Sequence, residues 1–152
     1  MQIQYMMNTP PVCVPATASL ENAALRMADA GVGALPVVDG DRVIGVVTDR
    51  DLVVRAMARG RSAQMPVGEV MSTDPVTIEA DTAVAVAILI MRSVRARHLP
   101  VVAEGRLVGM IAFDDVFWQL TQELSDLAAV VDAARKIPQV FRGTDKAPLL
   151  DC

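Results

Sequence analysis

The sequence predicts a mixed α+β fold made of two tandem β-α-β-β-α repeats followed by a helical extension. Three observations carry this. Sliding the chain against itself by 64 positions lays residues 7–52 on residues 71–116 without a gap, with 15 of the 46 aligned positions identical. Within each copy the apolar spacing changes from the 3–4 interval of a helix to short continuous runs typical of strands. The 152 residues are 53% hydrophobic but only 3% aromatic, so the core is built from Ala, Val, Leu, Ile and Met. A repeat at one fixed offset is a single supersecondary unit used twice, each copy covering apolar surface on the other.

The correspondence can be followed element by element. Met7-Asn8-Thr9-Pro10-Pro11-Val12 falls on Met71-Ser72-Thr73-Asp74-Pro75-Val76. A short β segment is expected at Pro11 to Val14 and again at Pro75 to Ile78. Helix-capping clusters follow, Thr17 to Ser19 in one copy and Asp81-Thr82 in the other. Leu20, Ala23, Ala24, Met27 and Ala28 mark the first helix, with Gly31 as its left-handed stop; Val84, Ala87, Ile88 and Met91 mark its counterpart. Two strands then flank Asp39-Gly40-Asp41, a hairpin signal, and Glu104-Gly105 takes that place in the second copy. Leu35-Pro36-Val37-Val38 falls on Leu99-Pro100-Val101-Val102, and Arg42-Val43-Ile44-Gly45 on Arg106-Leu107-Val108-Gly109. A closing helix begins near Thr48 and runs to about Ala58; its partner begins near Phe113. The divisions are residues 3–60 for the first repeat, 61–64 for a polar connector, 65–120 for the second repeat, 121–136 for the helical extension and 137–152 for an irregular tail.

Charge and cysteine usage exclude several functions. Fourteen Lys and Arg against eighteen Asp and Glu leave a net charge of −4, the wrong sign for wrapping a polyanion, so nucleic acid is not an expected partner. Cys13 and Cys152 form no framework, and with one histidine no metal site is expected. Met1 to Pro11 does not read as a signal peptide. The longest apolar run, Ala83 to Met91, spans nine residues where a membrane helix needs about twenty. A cytoplasmic, reduced protein without membrane contact is expected. There is no Ser-His-Asp or Cys-His set and no Walker-type loop, so catalysis and a catalytic cofactor are not expected.

Two local patterns can carry chemistry. Thr48 and Asp51 have the spacing of a capping box at a strand-helix junction. A hydroxyl and a carboxylate at the end of a strand also face the crevice where α/β proteins bind small ligands. Asp51 suits vicinal ribose hydroxyls there, and free amides at a helix start suit phosphate. The second pattern is basic: Arg92, Arg95, Arg97 and His98. The first two read as cations near a helix end. Arg97 and His98 stand at the entrance to a strand, where the first copy has Gly33 and Ala34, so the fold does not require them to be basic. An asymmetric basic pair in a symmetric repeat is what one anionic site needs.

Taken together, the Met-x-Thr-x-Pro-Val openings, the Leu-Pro-Val-Val strands and the Gly-h-h-[ST]-x-x-Asp junction (h, apolar) resemble a tandem CBS-domain pair over about residues 3–120. The resemblance implies a pseudo-twofold module with two crevices, commonly a homodimeric disc. It also implies a regulatory, energy-sensing role in which an adenosine-containing ligand such as AMP, ADP, ATP or S-adenosylmethionine is bound and its presence is passed to a partner. Carried over by position, Thr48 and Asp51 would hold the ribose with Val46 beside the base, and the segment from Ser72 to Val76 would line the adenine. Arg97 and His98 would reach phosphate next to Pro100. The second crevice keeps the carboxylate as Asp115, but Ala112 replaces the hydroxyl and Gly33-Ala34 offer no cation, which implies one competent and one weak site.

The alternative to a ligand sensor is a structural dimerisation module in which Thr48 and Asp51 only cap a helix. Phe117, Trp118 and Leu120, continued by Leu124, Leu127 and Val131, form an apolar stripe that a second copy or the folded-back tail would cover. The sequence contains no effector domain, so any regulated protein partner is expected to act in trans.

Overall fold

The computed structural model describes residues 1–136; the expected irregular tail, residues 137–152, lies outside the described residues. The chain divides into two compact units, one of Met1–Phe117 and one beginning at Trp118. The first unit holds both repeats. Its elements run β1 (Val14–Pro15), α1 (Leu20–Ala30), β2 (Ala34–Asp39), β3 (Arg42–Thr48), α2 (Asp49–Asp51), β4 (Ser72–Thr73), β5 (Ile78–Glu79), α3 (Val84–Val94), β6 (His98–Ala103) and β7 (Arg106–Ala112), with the start of α4 (Phe113–Arg135).

One sheet has the order β1-β2-β3-β4 and the other β5-β6-β7. The repeat is reproduced down to its irregularities: β1 and β5 pair parallel to β2 and β6, the hairpins are antiparallel, and each carries a bulge at the matching place, Val37/Val38 and Val101/Val102. The expected mixed α+β architecture is present in both copies. The opening strands begin later than the apolar runs suggest, at Val14 and Ile78 rather than at Pro11 and Pro75. Prolines 11 and 75 have no N–H to give to a ladder, and pairing starts only where Val14 meets Val37 and Ile78 meets Val101.

The helix ends show what local sequence decides. Ser19 caps α1, its Oγ accepting from the Asn22 N–H at 3.0 Å, and Gly31 ends the helix at φ 65°. The predicted Asp81-Thr82 cap on α3 does not form: Ala83 occupies that position and no side chain accepts there. A distant backbone supplies the acceptor instead, because the Val84 N–H donates to the Met1 carbonyl at 3.0 Å. The helix after Thr48 also departs from a regular α-helix. After Asp49–Asp51 it widens into a π-helical stretch, Leu52–Ala56, tightens into a 3₁₀ turn, Met57–Arg59, and stops at Gly60 with φ 63°.

The Val84–Met1 bond belongs to a reciprocal exchange of opening segments. Ile3 and Gln4 donate from their N–H groups to the carbonyls of Thr82 and Ala80, at 2.9 and 3.0 Å. At the same offset, Val67 and Gly68 donate to Ala18 and Ala16, at 2.7 and 2.9 Å, and Leu20 donates to Met65 at 2.9 Å. The first residues of the chain thus complete the second repeat, and the residues after the connector complete the first. Ile3 is fully buried with Ile78, Val84, Ala87, Met91, Leu99, Val101 and Ile111. Val67 is fully buried with Val14, Leu20, Met27, Leu35, Val37 and Val47. Each buried aliphatic side chain of this kind contributes about 1.5–3 kcal/mol. The connector is itself fastened, since the Ala63 carbonyl accepts from the Glu21 N–H and the Gln64 amide donates to the Glu21 carboxylate.

Two glycines make the exchange possible. A Cβ on Gly45 would lie 2.5 Å from the Met71 sulfur and 2.9 Å from the Ser72 carbonyl oxygen. A Cβ on Gly109 would lie 2.5 Å from the Met7 sulfur and 3.0 Å from the Asn8 carbonyl oxygen. The exchanged segments therefore run against bare backbone. No polar or charged residue is buried among the described residues, so both cores are wholly aliphatic.

In the second unit, α4 continues to Arg135 as the sequence stripe predicts. Trp118, Leu120, Leu124, Leu127, Val130 and Val131 are exposed along it. No helix among the described residues is long and apolar enough to cross a membrane.

Because Ile3 lies in a core, truncating it acts unlike an ordinary terminal change. Ile3→Ala is expected to cost about 2–5 kcal/mol in denaturant unfolding. Tyr5→Ala, two residues on at a side chain that is 77% exposed, should stay within about 0.5 kcal/mol of the parent. Equal small losses at both positions would contradict the exchange.

Candidate functional site

A cleft of about 740 Å³ in the first unit is lined by residues of both repeats. From the first repeat come Val46, Thr48, Asp49, Arg50 and Asp51; from the second, Ser72 through Val76 and Val94 through Pro100, with Asp114. The topology explains this convergence. Strand β4 pairs with β3 so that Val46 stands opposite Ser72. The pairing is antiparallel, so the Ser72–Val76 segment, which follows the exchanged stretch, starts beside Val46 and lines the cleft together with it. All eight residues the sequence singles out for this site, Val46, Thr48, Asp51, Ser72, Val76, Arg97, His98 and Pro100, line this one cleft.

Thr48 and Asp51 form a complete capping box. The Thr48 Oγ1 accepts from the Asp51 N–H at 3.1 Å, and Asp51 Oδ2 accepts from the Thr48 N–H at 2.9 Å. The other oxygen, Asp51 Oδ1, lies 3.4 Å from Arg55 Nε. A carboxylate offers about four lone-pair sites, so acceptor capacity remains on a side chain that is only 16% exposed. Arg55, which sequence inspection passed over, also donates to the Val70 carbonyl at 3.0 Å. It therefore ties the capping box to the exchanged segment. Its signal is the i,i+4 spacing from Asp51.

On the opposite wall, Arg97 and His98 behave differently from each other. His98 is half-buried, and that burial lowers its pKa below 6.5, with Asp114 pulling the other way and Arg97 adding to the decrease. Burial thus disfavours its charged form, so His98 brings less positive charge to the cleft than the basic run suggests. Arg97 is held in place. Its guanidinium is ion-paired with Asp114 and lies 5.9 Å from the centre of the Phe113 ring. The cleft wall carries Arg50, Arg95 and Arg97 against Asp49, Asp51, Asp74 and Asp114. The local basic spot expected from sequence is thus balanced by carboxylates that lie far apart in the chain.

A family model of the CBS domain matches residues 2–57 and 67–121. The chain belongs to the CBS-domain family. The CBS domain-containing protein YhcV of Bacillus subtilis is 37% identical over 114 residues, 75% of this chain and 81% of that one. The chain spans 65% of the length of another B. subtilis relative, the uncharacterized protein YlbB, at 38% identity. Among solved structures, Hypoxic Response Protein I with two coordinated zinc ions superposes with a TM-score of 0.70 at 30% identity, covering 76% of this chain and 96% of that one. A CBS-domain protein from Pyrobaculum aerophilum complexed with AMP gives a TM-score of 0.70 at 29% identity, covering 76% and 89%. Among the described residues of this CBS pair, no three His, Cys, Asp or Glu side chains gather as a metal site.

The second crevice of the CBS pair is smaller, about 330 Å³. Asp115 is engaged there by the exchanged segment, since the Asn8 amide donates to its Oδ2 at 2.8 Å. Ala112 contributes no hydroxyl, and Gly33-Ala34 contribute no charge. Gly33, His98 and Asp114 line both crevices, so the two share a wall.

His98 gives this CBS pair a pH dependence of definite sign. Its folded pKa lies below its unfolded value, so the unfolded chain binds the proton first on acidification. The associated stability is fully present above about pH 6.5 and is lost as pH falls through the folded pKa. Thermal melts from about pH 7.5 to about pH 5 should show the parent losing stability relative to His98→Gln only below about pH 6.5. A constant difference between the two across that range would refute the assignment.

Proposed function

We propose that this CBS pair is a regulatory module that binds an adenosine-containing ligand in the larger cleft and signals its presence to a protein partner in trans. The observation that carries the reading is convergence. A hydroxyl and a carboxylate from the first repeat, Thr48 and Asp51, meet Arg97, His98 and Pro100 from the second around one space large enough for a nucleoside phosphate. Asp51 would take the ribose hydroxyls with its remaining lone pairs, Val46 and Val76 would flank the base, and Arg97 would meet a phosphate. The AMP-bound relative from P. aerophilum supports the ligand class. In the smaller crevice Asp115 is already engaged by Asn8 and Ala112 lacks a hydroxyl, which supports weak or no binding there.

Calorimetric titration with adenosine, AMP, ADP, ATP and S-adenosylmethionine tests the proposal. At least one should bind, and Asp51→Ala should remove or strongly weaken it. Arg97→Ala should weaken AMP or ATP more than adenosine, by roughly ten- to a hundredfold if a charge-assisted contact worth about 1.5–3 kcal/mol is lost. No heat from any ligand, or equal heat from Asp51→Ala, would sink the reading.

A second reading, a structural dimerisation module, is favoured by one specific observation: the exposed apolar row on α4 at Trp118, Leu124, Leu127 and Val131. A second copy of the chain is the proposed cover, and the two readings are compatible. Sedimentation of the full chain should give a dimer, and a chain ending near Leu120 should dissociate if the extension forms the interface. Undiminished dimerisation of the shortened chain would place the interface elsewhere.

A further inference from the structure

Asp114 is absent from the pattern by which the cleft was recognised, yet it makes the closest contact to the cleft's phosphate-facing cation. Arg97 pairs with Asp114 across 17 residues of chain. The same guanidinium packs toward the Phe113 ring, and the Phe113 N–H donates to the Arg97 carbonyl at 2.8 Å. The internal repeat serves as a control. At the 64-residue offset, Arg97, Phe113 and Asp114 correspond to Gly33, Asp49 and Arg50. The Asp49 N–H donates to the Gly33 carbonyl in the same way, at 3.0 Å, so the backbone arrangement is common to both repeats. The cation, the ring and its carboxylate partner are not. The fold therefore does not need this trio.

Its position suggests what it does. Arg97 and Asp114 are 66% and 72% exposed at the side chain, and both line the cleft. An exposed ion pair holds only weakly, so an incoming anion can displace the carboxylate, but it must first compete with it. Once Asp114 is displaced from Arg97 it is left as an unpaired carboxylate on the cleft wall, and each further phosphate stands beside it.

Accepting the nucleotide reading above, we infer that Asp114 is a specificity-determining residue: by occupying Arg97 it biases the cleft toward adenosine ligands of low negative charge and against polyphosphates. A nucleoside or nucleoside monophosphate can use Thr48 and Asp51 with at most one exchange at Arg97. A triphosphate has to displace Asp114 and then stand beside it.

The test is calorimetric titration of the full chain, the Asp114→Asn variant and the Asp114→Glu variant with adenosine, AMP and ATP. In Asp114→Asn the affinity of AMP relative to adenosine should rise roughly three- to tenfold, and that of ATP by more. Asp114→Glu, which retains the charge, should keep the parent ratios. In an Arg97→Ala background the gain from Asp114→Asn should shrink or vanish, because the pair no longer exists. Unchanged ratios in Asp114→Asn, with adenosine still binding, would overturn the inference and leave the nucleotide reading standing. A gain that persists undiminished without Arg97 would overturn it as well, because simple repulsion would then suffice. If neither the parent nor Asp114→Asn binds any of the three ligands, this inference falls, and the nucleotide reading falls with it when ADP and S-adenosylmethionine also give no heat.

Discussion

The reciprocal exchange of opening segments is the constraint on which the rest of the molecule depends. Neither repeat is complete in its own stretch of chain. The second needs Ile3 in its core and the Met1 carbonyl at the start of α3; the first needs Val67 in its core and the Met65 carbonyl at the start of α1. A buried helix start without acceptors for its N–H groups is costly, so each repeat is held to the other by bonds it cannot replace locally. The bare backbones at Gly45 and Gly109 let the exchanged strands approach closely enough to pair. This interlocking also makes the clefts, because the segment that completes one repeat continues directly into the wall of the larger cleft.

The aliphatic composition follows from the same arrangement. Two small β-α-β-β-α bodies, each entered by a segment from outside, leave little room for rings inside, and the largest fully buried side chains are Ile, Leu, Val and Pro. Of the few aromatic residues, Tyr5, Phe113, Phe117 and Trp118 are exposed. Phe113 packs against Arg97, which lines the larger cleft.

Symmetry of fold and asymmetry of site come from different residues. Backbone hydrogen bonds, bulges and core positions repeat at the 64-residue offset. Apart from the carboxylate shared by Asp51 and Asp115, key side chains at the cleft mouths do not: Thr48 becomes Ala112, Gly33 becomes Arg97, and Arg50 becomes Asp114. A duplicated scaffold can keep its packing while one crevice specialises, because packing constrains the buried faces and leaves the cleft rims free to vary. The net charge of −4 concealed a basic spot, and in the structure that spot is balanced by Asp114, while burial disfavours the charged form of His98.

The resemblance to a CBS pair pointed to the eight cleft residues; by itself the sequence determined the repeat, the strand hairpins, helices α1, α3 and α4, the Ser19 cap and the Gly31 stop. These depend on periodicity, on turn chemistry and on a pseudo-symmetry visible at one offset. Only the tertiary structure decided how α3 is capped, that the chain's first residues belong to the second core, that α2 widens into a π turn, and that Asp114 sits on Arg97. The physical reason is one of range. Side-chain caps, turns and amphipathic faces are settled within a few residues of chain. A carbonyl supplied by Met1 to Val84, or a carboxylate 17 positions from its guanidinium, leaves no periodic trace and exists only once the chain has folded.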